Sequence, residues 1–323
     1  MRVVVVGGSG HVGTYLVPRL VRGGHEVVVV SRGQRAAYTP DEAWSQVQQV
    51  HLDREAEDRA GTFAARLLDH EPEAVVDLVC FTVDSAAALV EGLRGRVEHL
   101  VHCGSIWRYG PSRVVPVTEE NASPPLGDYG TAKAAIARLL RDETASGGLV
   151  TTSLHPGHIS GPGWEPIGPL GNLDLGVWRT LSAGEPLAVP GFGAELLHHV
   201  HADDVAQAFE LAVEHRSAAA GLALDVVAPT ATTVRGLAEA GASWFGREAE
   251  LHHVTWDDFR ASTTPELAGQ SHDHLVRSHH VSIERTREVL GYAPAWHAQD
   301  AVLDAVRRLV ADGRLEPAAP LVV

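Results

Sequence analysis

Arg2-Val3-Val4-Val5-Val6-Gly7-Gly8-Ser9-Gly10-His11-Val12-Gly13 stands at the start of the chain, and its reading decides the fold. Arg2–Val6 is a continuous apolar run, the pattern of a strand covered on both faces. His11–Arg22 then repeats apolar residues at helical spacing, with Val12, Leu16 and Leu20 on one side. Between them Gly7, Gly10 and Gly13 recur at every third position. Glycine lets the backbone turn tightly and approach a pyrophosphate, and the following helix N-terminus offers N–H groups and positive dipole. Gly7, Ser9, Gly10, His11, Val12 and Gly13 are therefore the expected phosphate-side contacts of a dinucleotide.

Working outward, the pattern repeats. Glu26–Val30, Gln46–Leu52, Ala74–Val79, Glu98–His102 and Leu149–Leu154 read as further strands. Arg59–His70, Ser85–Leu93 and Asp128–Ser146 read as the helices between them. Apolar strands alternating with helices predict an α/β, doubly wound parallel sheet of the Rossmann type. From Pro156 the texture changes to a loop punctuated by Gly and Pro as far as Gly171. Helices are expected at Asn172–Ala183, Asp203–His215, Thr233–Phe245, Ile283–Leu290 and Gln299–Ala311, with strands near Ala223–Val227 and Glu250–Val254. The expected division is a dinucleotide-binding domain over 1–155 and a smaller, mainly substrate-binding C-terminal domain over 156–323. The stretch 203–228 is expected to return to the first, and the tail Pro317–Val323 to be loosely held.

Composition narrows the class. The chain has 323 residues, 45% hydrophobic and 21% charged, ordinary for a globular protein. No apolar run is long enough to span a bilayer, and no basic, signal-like segment precedes the first strand. Two cysteines, Cys80 and Cys103, do not make a disulfide framework, so a reduced cytoplasmic setting is expected. A net charge of −15 disfavours nucleic acid and anionic membrane as partners. A small-molecule substrate is expected instead.

Lys133 is the single lysine against twenty-five arginines. It follows Tyr129 by four positions in Tyr129-Gly130-Thr131-Ala132-Lys133, which puts both on one helix face. An ammonium there is expected to lower the phenol pKa and make Tyr129 a proton donor and acceptor. The second strand ends in Ser31-Arg32-Gly33-Gln34-Arg35. A hydroxyl and guanidinium groups in that place, where NAD enzymes often carry an acid, favour NADP over NAD through charge-assisted bonds to a 2′-phosphate. Asp53, after the third strand, suits either an adenine amino group or a loop cap.

Together these pieces resemble the extended short-chain dehydrogenase/reductase family, also called the NAD-dependent epimerase/dehydratase family. The resemblance rests on Gly7–Gly13, Cys103-Gly104-Ser105-Ile106-Trp107-Arg108-Tyr109-Gly110, Tyr129–Lys133, His155-Pro156-Gly157-His158-Ile159-Ser160-Gly161-Pro162 and Val200-His201-Ala202-Asp203-Asp204-Val205-Ala206. A weaker echo lies at Leu290-Gly291-Tyr292-Ala293-Pro294. It implies that Tyr129 is the general acid/base, that Lys133 binds the nicotinamide ribose and tunes Tyr129, and that Ser105 holds the reacting oxygen. It implies cofactor contacts from Cys80, Pro156 and His158, substrate contacts from Trp107, His158 and Asn172, and a homodimer. Asp203 and Asp204 are expected to serve the helix they open. One departure stands out. Family members acting on nucleotide-sugars commonly carry an Arg just before the Val-His-x-Asp-Asp element, where this chain has Leu197, followed by His198 and His199. That weakens a nucleotide-diphosphate-sugar reading.

The function so implied is an NAD(P)-dependent oxidoreductase moving hydride between nicotinamide and a secondary alcohol or ketone of a sugar-like or polyol substrate. A sugar epimerase with retained cofactor is the alternative; a non-catalytic dinucleotide sensor or RNA-binding relative is the third. Ser105 has no acidic neighbours, which disfavours dehydration. The nineteen histidines carry no metal-binding spacing, so no metal is expected. Trp164 and Trp178 also fall near the expected site loops.

Overall fold

The computed structural model describes residues 1–323. Strands β1 (Arg2–Val6), β2 (Glu26–Ser31), β3 (Gln48–His51), β4 (Ala74–Asp77), β5 (His99–Cys103) and β6 (Thr151–Pro156) form the sheet predicted from the valine runs. After them come β7 (His158–Ser160), β8 (Leu187–Pro190), β9 (Leu196–Leu197), β10 (His199–His201), β11 (Ala223–Val226), β12 (Thr232–Thr233) and β13 (Leu251–Val254). The main sheet has seven strands in the order β11-β6-β5-β4-β1-β2-β3, with every neighbour parallel. Strand order reverses between β1 and β4, so the crevice at their carboxyl ends is where such sheets take ligands.

The helices are α1 (His11–Arg22), α2 (Arg54–Ala60), α3 (Phe63–Leu68), α4 (Val83–Leu93), α5 (Gly127–Ala145), α6 (Gly176–Ala183) and α7 (Ala202–Glu214). They continue with α8 (Arg216–Ala219), α9 (Val234–Ser243), α10 (Trp256–Ser262), α11 (Pro265–Leu275), α12 (Glu284–Leu290) and α13 (Ala298–Ala311). The pleat divides the strand residues between two cores. Val3 and Val5 join Val12, Leu16 and Phe209 on one face, under α1 and α7. Val4 and Val6 join Phe63, Leu89 and Ile136 on the other, under α3, α4 and α5. A third apolar cluster, around Trp178, Leu237, Phe259 and Val306, packs the C-terminal elements.

Three expectations are corrected. The helix expected over Arg59–His70 is two helices, because Gly61 takes a left-handed φ of 68° and caps α2. The helix expected from Asn172 begins at Gly176, because the Asn172 amide oxygen and the Asp174 carboxylate are spent on the turn, accepting from Asp174 N at 3.1 Å and Gly176 N at 2.8 Å. The tail is tied down: Ala318 N donates to Ser182 Oγ at 2.9 Å and Val322 N to the Trp244 carbonyl at 2.8 Å. The Leu290–Pro294 echo leads into a dock for α7: Ala293 N donates to Gln207 Oε1, and Ala295 N and Trp296 N, just beyond it, donate to Asp204.

Candidate active site

The loop from β1 into α1 borders a groove of about 430 Å³ that Gly7, Ser9, Gly10, Ser31, Arg32, Arg35 and Asp53 help to line. Gly13 cannot carry a side chain, since a Cβ would lie 2.1 Å from the Gly8 carbonyl oxygen. No side chain caps α1, which leaves its first N–H groups to a ligand. Val12 is buried in the core. The His11 ring turns from the groove to stack on Trp164 at 5.1 Å, and burial pushes its imidazole down to about 4. Ser31 Oγ accepts from Gly33 N, and Asp53 caps α2 by accepting from Ala56 N at 3.1 Å. Arg32 makes no ion pair, while Arg35 reaches only the Tyr38 hydroxyl at 3.2 Å. These residues fit a dinucleotide: an uncapped helix start for phosphate, and two guanidinium groups without carboxylate partners at the ribose end.

The groove runs into a cleft of about 700 Å³ that Cys103, Ser105, Trp107, Tyr129, Lys133, Pro156 and His158 border. Ser105 ends the loop after β5, while α5 presents Tyr129 and Lys133 one turn apart. Tyr129 borders the cleft on the same wall as Ser105, whose Oγ accepts from Trp107 N at 3.2 Å. Lys133 is 2% exposed, and its Nζ donates to the carbonyls of Cys80 at 2.7 Å and Cys103 at 2.8 Å. Burial lowers the Lys133 pKa. The expectation that this ammonium lowers the Tyr129 pKa is corrected. Nζ lies 5.7 Å from the Tyr129 ring centroid with two donors spent on strand-end carbonyls, and burial pushes the phenol up to about 12. Cys80 enters through this carbonyl, its thiol being buried and pushed up to about 12 by burial.

Trp107 meets Tyr129 edge-on at 5.8 Å and His274 at 4.9 Å, with the Arg277 guanidinium 3.7 Å above its ring. His158, on β7, lies 4.9 Å from His274 and 5.4 Å from His199. Burial and the neighbouring imidazoles hold His158 well below its ordinary pKa. Two expected positions do not reach the cleft. Asn172 is buried and donates to Ser271 Oγ at 2.9 Å, so its amide is consumed by the fold. Trp178 is fully buried and stacks on Trp244 at 5.6 Å. His274 was not anticipated. It comes from α11, whose start was written in Thr264-Pro265, a side-chain cap followed by proline at the first helical position. Ile167, Leu173 and Phe81 complete the apolar lining.

Asp77, Cys80 and His102 bring ligand-type atoms within 4.8 Å of one another beneath this wall. Arg54 already pairs with Asp77, and the ammonium of Lys133 depresses the buried His102 further. Two cations beside the triad oppose a third.

Leu197 is buried in the C-terminal core, on β9 against β12. The family model described as NAD dependent epimerase/dehydratase matches residues 3–226. The 2'-dehydrokanamycin reductase of Streptomyces kanamyceticus is 34% identical over 209 residues, covering 64% of this chain and 56% of that protein. The chloroplast stem-loop binding protein of 41 kDa b of Arabidopsis thaliana is 26% identical, covering 94% of this chain and 78% of that one. Among solved structures, UDP-glucose 4-epimerase of Thermotoga maritima with UDP-glucose superposes with a TM-score of 0.73 at 20% identity, covering 97% of this chain and 99% of the other. With the glycine loop, the parallel sheet and the cleft at its switch point, these matches establish that the chain is an enzyme belonging to the NAD-dependent epimerase/dehydratase family.

Proposed function

We propose that this protein is an NADP-linked oxidoreductase that interconverts a secondary alcohol and a ketone on a sugar-like or polyol substrate. The observation that carries the reading is the convergence of Ser105, Tyr129 and Lys133 on one wall of a cleft continuous with the glycine-loop groove. A bound nicotinamide dinucleotide would supply the hydride donor or acceptor. Tyr129 passes a proton to the ketone oxygen, or takes it from the alcohol. Ser105 holds that oxygen and stabilises the charge developing on it. Lys133, held by the carbonyls of Cys80 in the loop after β4 and Cys103 at the end of β5, would meet the nicotinamide ribose. Arg32 and Arg35 hold the 2′-phosphate, with Ser31 beside them. His158 and Pro156 border the space shared by nicotinamide and substrate. The likeness to a named reductase supports net reduction.

A second reading is epimerisation with retained cofactor, supported by the fold shared with UDP-glucose 4-epimerase. It uses the same three side chains, so product analysis separates the two: net NADPH loss with a ketone favours reduction, and epimer formation without it favours the alternative. The acidic charge of the chain and its complete Ser/Tyr/Lys set argue against a non-catalytic RNA-binding role. A homodimer through the face bearing α5 is proposed, with light scattering as its check.

The central test is Tyr129→Phe. Turnover should fall by roughly a hundredfold to ten-thousandfold, with the NADP(H) dissociation constant nearly unchanged. Unchanged turnover in a substrate screen would remove the mechanism.

A further inference from the structure

The cations around the substrate end of the cleft are already spoken for. Arg277 lies behind Trp107, its guanidinium 3.7 Å from the ring centroid, and it donates to the backbone carbonyls of Asp273 and Leu126. Arg314 pairs with Glu165 at 2.8 Å. Lys133 is bound to two carbonyls. Arg35 has no carboxylate partner and borders both groove and cleft beside Tyr38, where the proposed function spends it on the 2′-phosphate. Leu197, just before β10, is buried in the C-terminal core and offers the cleft no cation.

The polar side chains left at that end are neutral ones. His274 Nδ1 lies 2.7 Å from the Gln270 carbonyl, so it is the protonated nitrogen and Nε2 carries the lone pair. The His158 ring lies 4.9 Å away; burial keeps both neutral, with the His274 ring a further cause at His158 and the Arg277 guanidinium at His274. Trp107 and Leu173 add flat and apolar surface. A diphosphate entering here would bury two negative charges without a free cation, a large penalty. Hydroxyl donors would instead meet imidazole lone pairs beside an indole face.

We propose that the substrate end of the cleft takes an uncharged polyhydroxylated ring ketone or alcohol and excludes nucleoside diphosphates, with His158 and His274 as acceptors for ring hydroxyls. The inference rests on the oxidoreductase reading but narrows it to one class of substrate. Arg277 belongs to it as a positioning residue, which fixes Trp107 and the Leu126 carbonyl at the start of α5.

The test uses the NADP-loaded protein. UDP is titrated in while indole fluorescence is followed, with Trp107→Phe identifying the part of the signal that comes from the cleft. No saturable change is expected up to about 10 mM, far above a useful affinity; saturation overturns the proposal. In parallel, neutral cyclic keto-polyols such as inososes and neutral keto-sugars are offered as substrates with NADPH. Turnover is expected within this panel, and His274→Leu should raise KM about tenfold while leaving kcat within about threefold. His158→Leu, assayed the same way, checks the second acceptor. Turnover of nucleotide-diphosphate sugars, turnover of none of the neutral panel, or a KM moved by neither histidine variant overturns it. The parent reading fails separately. If a UDP-sugar is turned over and Tyr129→Phe abolishes this, the oxidoreductase stands and the substrate class falls; if Tyr129→Phe retains turnover, the parent reading falls.

Discussion

Lys133 shows how far one residue can be read. Its offset from Tyr129 announced a shared helix face, because helical geometry is local. Its partners were not legible, because Cys80 and Cys103 reach it only after β4 and β5 lie side by side. Burial, which also depends on segments distant in sequence, holds the Tyr129 phenol above its ordinary value, opposite to the expectation. Lys133→Arg keeps the charge but offers a wider, planar head to a buried site shaped for an ammonium. Turnover should fall at least about a hundredfold, and stability by about 1–3 kcal/mol, since two buried carbonyls lose their donor. Steady-state kinetics and a urea midpoint check both. At the other end of the groove, Arg32→Ala should weaken NADP(H) about tenfold or more and NAD(H) far less, as one charge-assisted bond to a phosphate is lost. A fluorescence titration with each dinucleotide decides it, and equal losses would reverse the cofactor preference.

Among elements, legibility followed the range of the contacts. The strands β1, β2 and β4 were plain because unbroken valine runs are the mark of strands covered on both faces. The short strands β7, β8, β9 and β12 were missed. Two to four residues carry no periodicity, and their pairing depends on segments far away in sequence. Helices α10 and α11 were missed although Thr255 and Thr264 cap them, because both are short and polar on much of their surface. The tail was misjudged from its prolines and its terminal position, when its worth lies in what it touches. A chain ended after Glu316 loses the bonds to Ser182 and Trp244 and the apolar contact of Leu321. We expect a loss of about 2–4 kcal/mol from two hydrogen bonds and one half-buried side chain. Chemical denaturation of the shortened chain measures it; an unchanged midpoint would show the tail to be passive.

The molecule as a whole buries histidine on a large scale. Burial pushes His11, His99 and His279 down to about 4, and His102, His198 and His199 to about 3, from an ordinary 6.5. Each binds its proton more readily once unfolded. The unfolded state therefore gains protons first as pH falls below 6.5, and stability falls with it until the folded-state values are reached. Above 6.5 these groups leave stability independent of pH. The expected outcome is a steep drop in the urea midpoint between pH 6.5 and pH 4, with several protons taken up per molecule unfolded. A flat midpoint to pH 5 would mean that these imidazoles are not buried neutral. Composition displayed the histidines but not this property, since it depends on which of them the fold encloses.

Trp164 joins these scales. Its indole stacks on His11 of the phosphate loop, donates to the Tyr38 hydroxyl at 3.1 Å, and borders both the groove and the cleft. One ring is thus a wall of both compartments, and whatever fills the first resets the boundary of the second. The expected kinetic consequence is ordered addition, dinucleotide before carbon substrate, and product-inhibition patterns check it; random addition would show that the shared ring couples nothing.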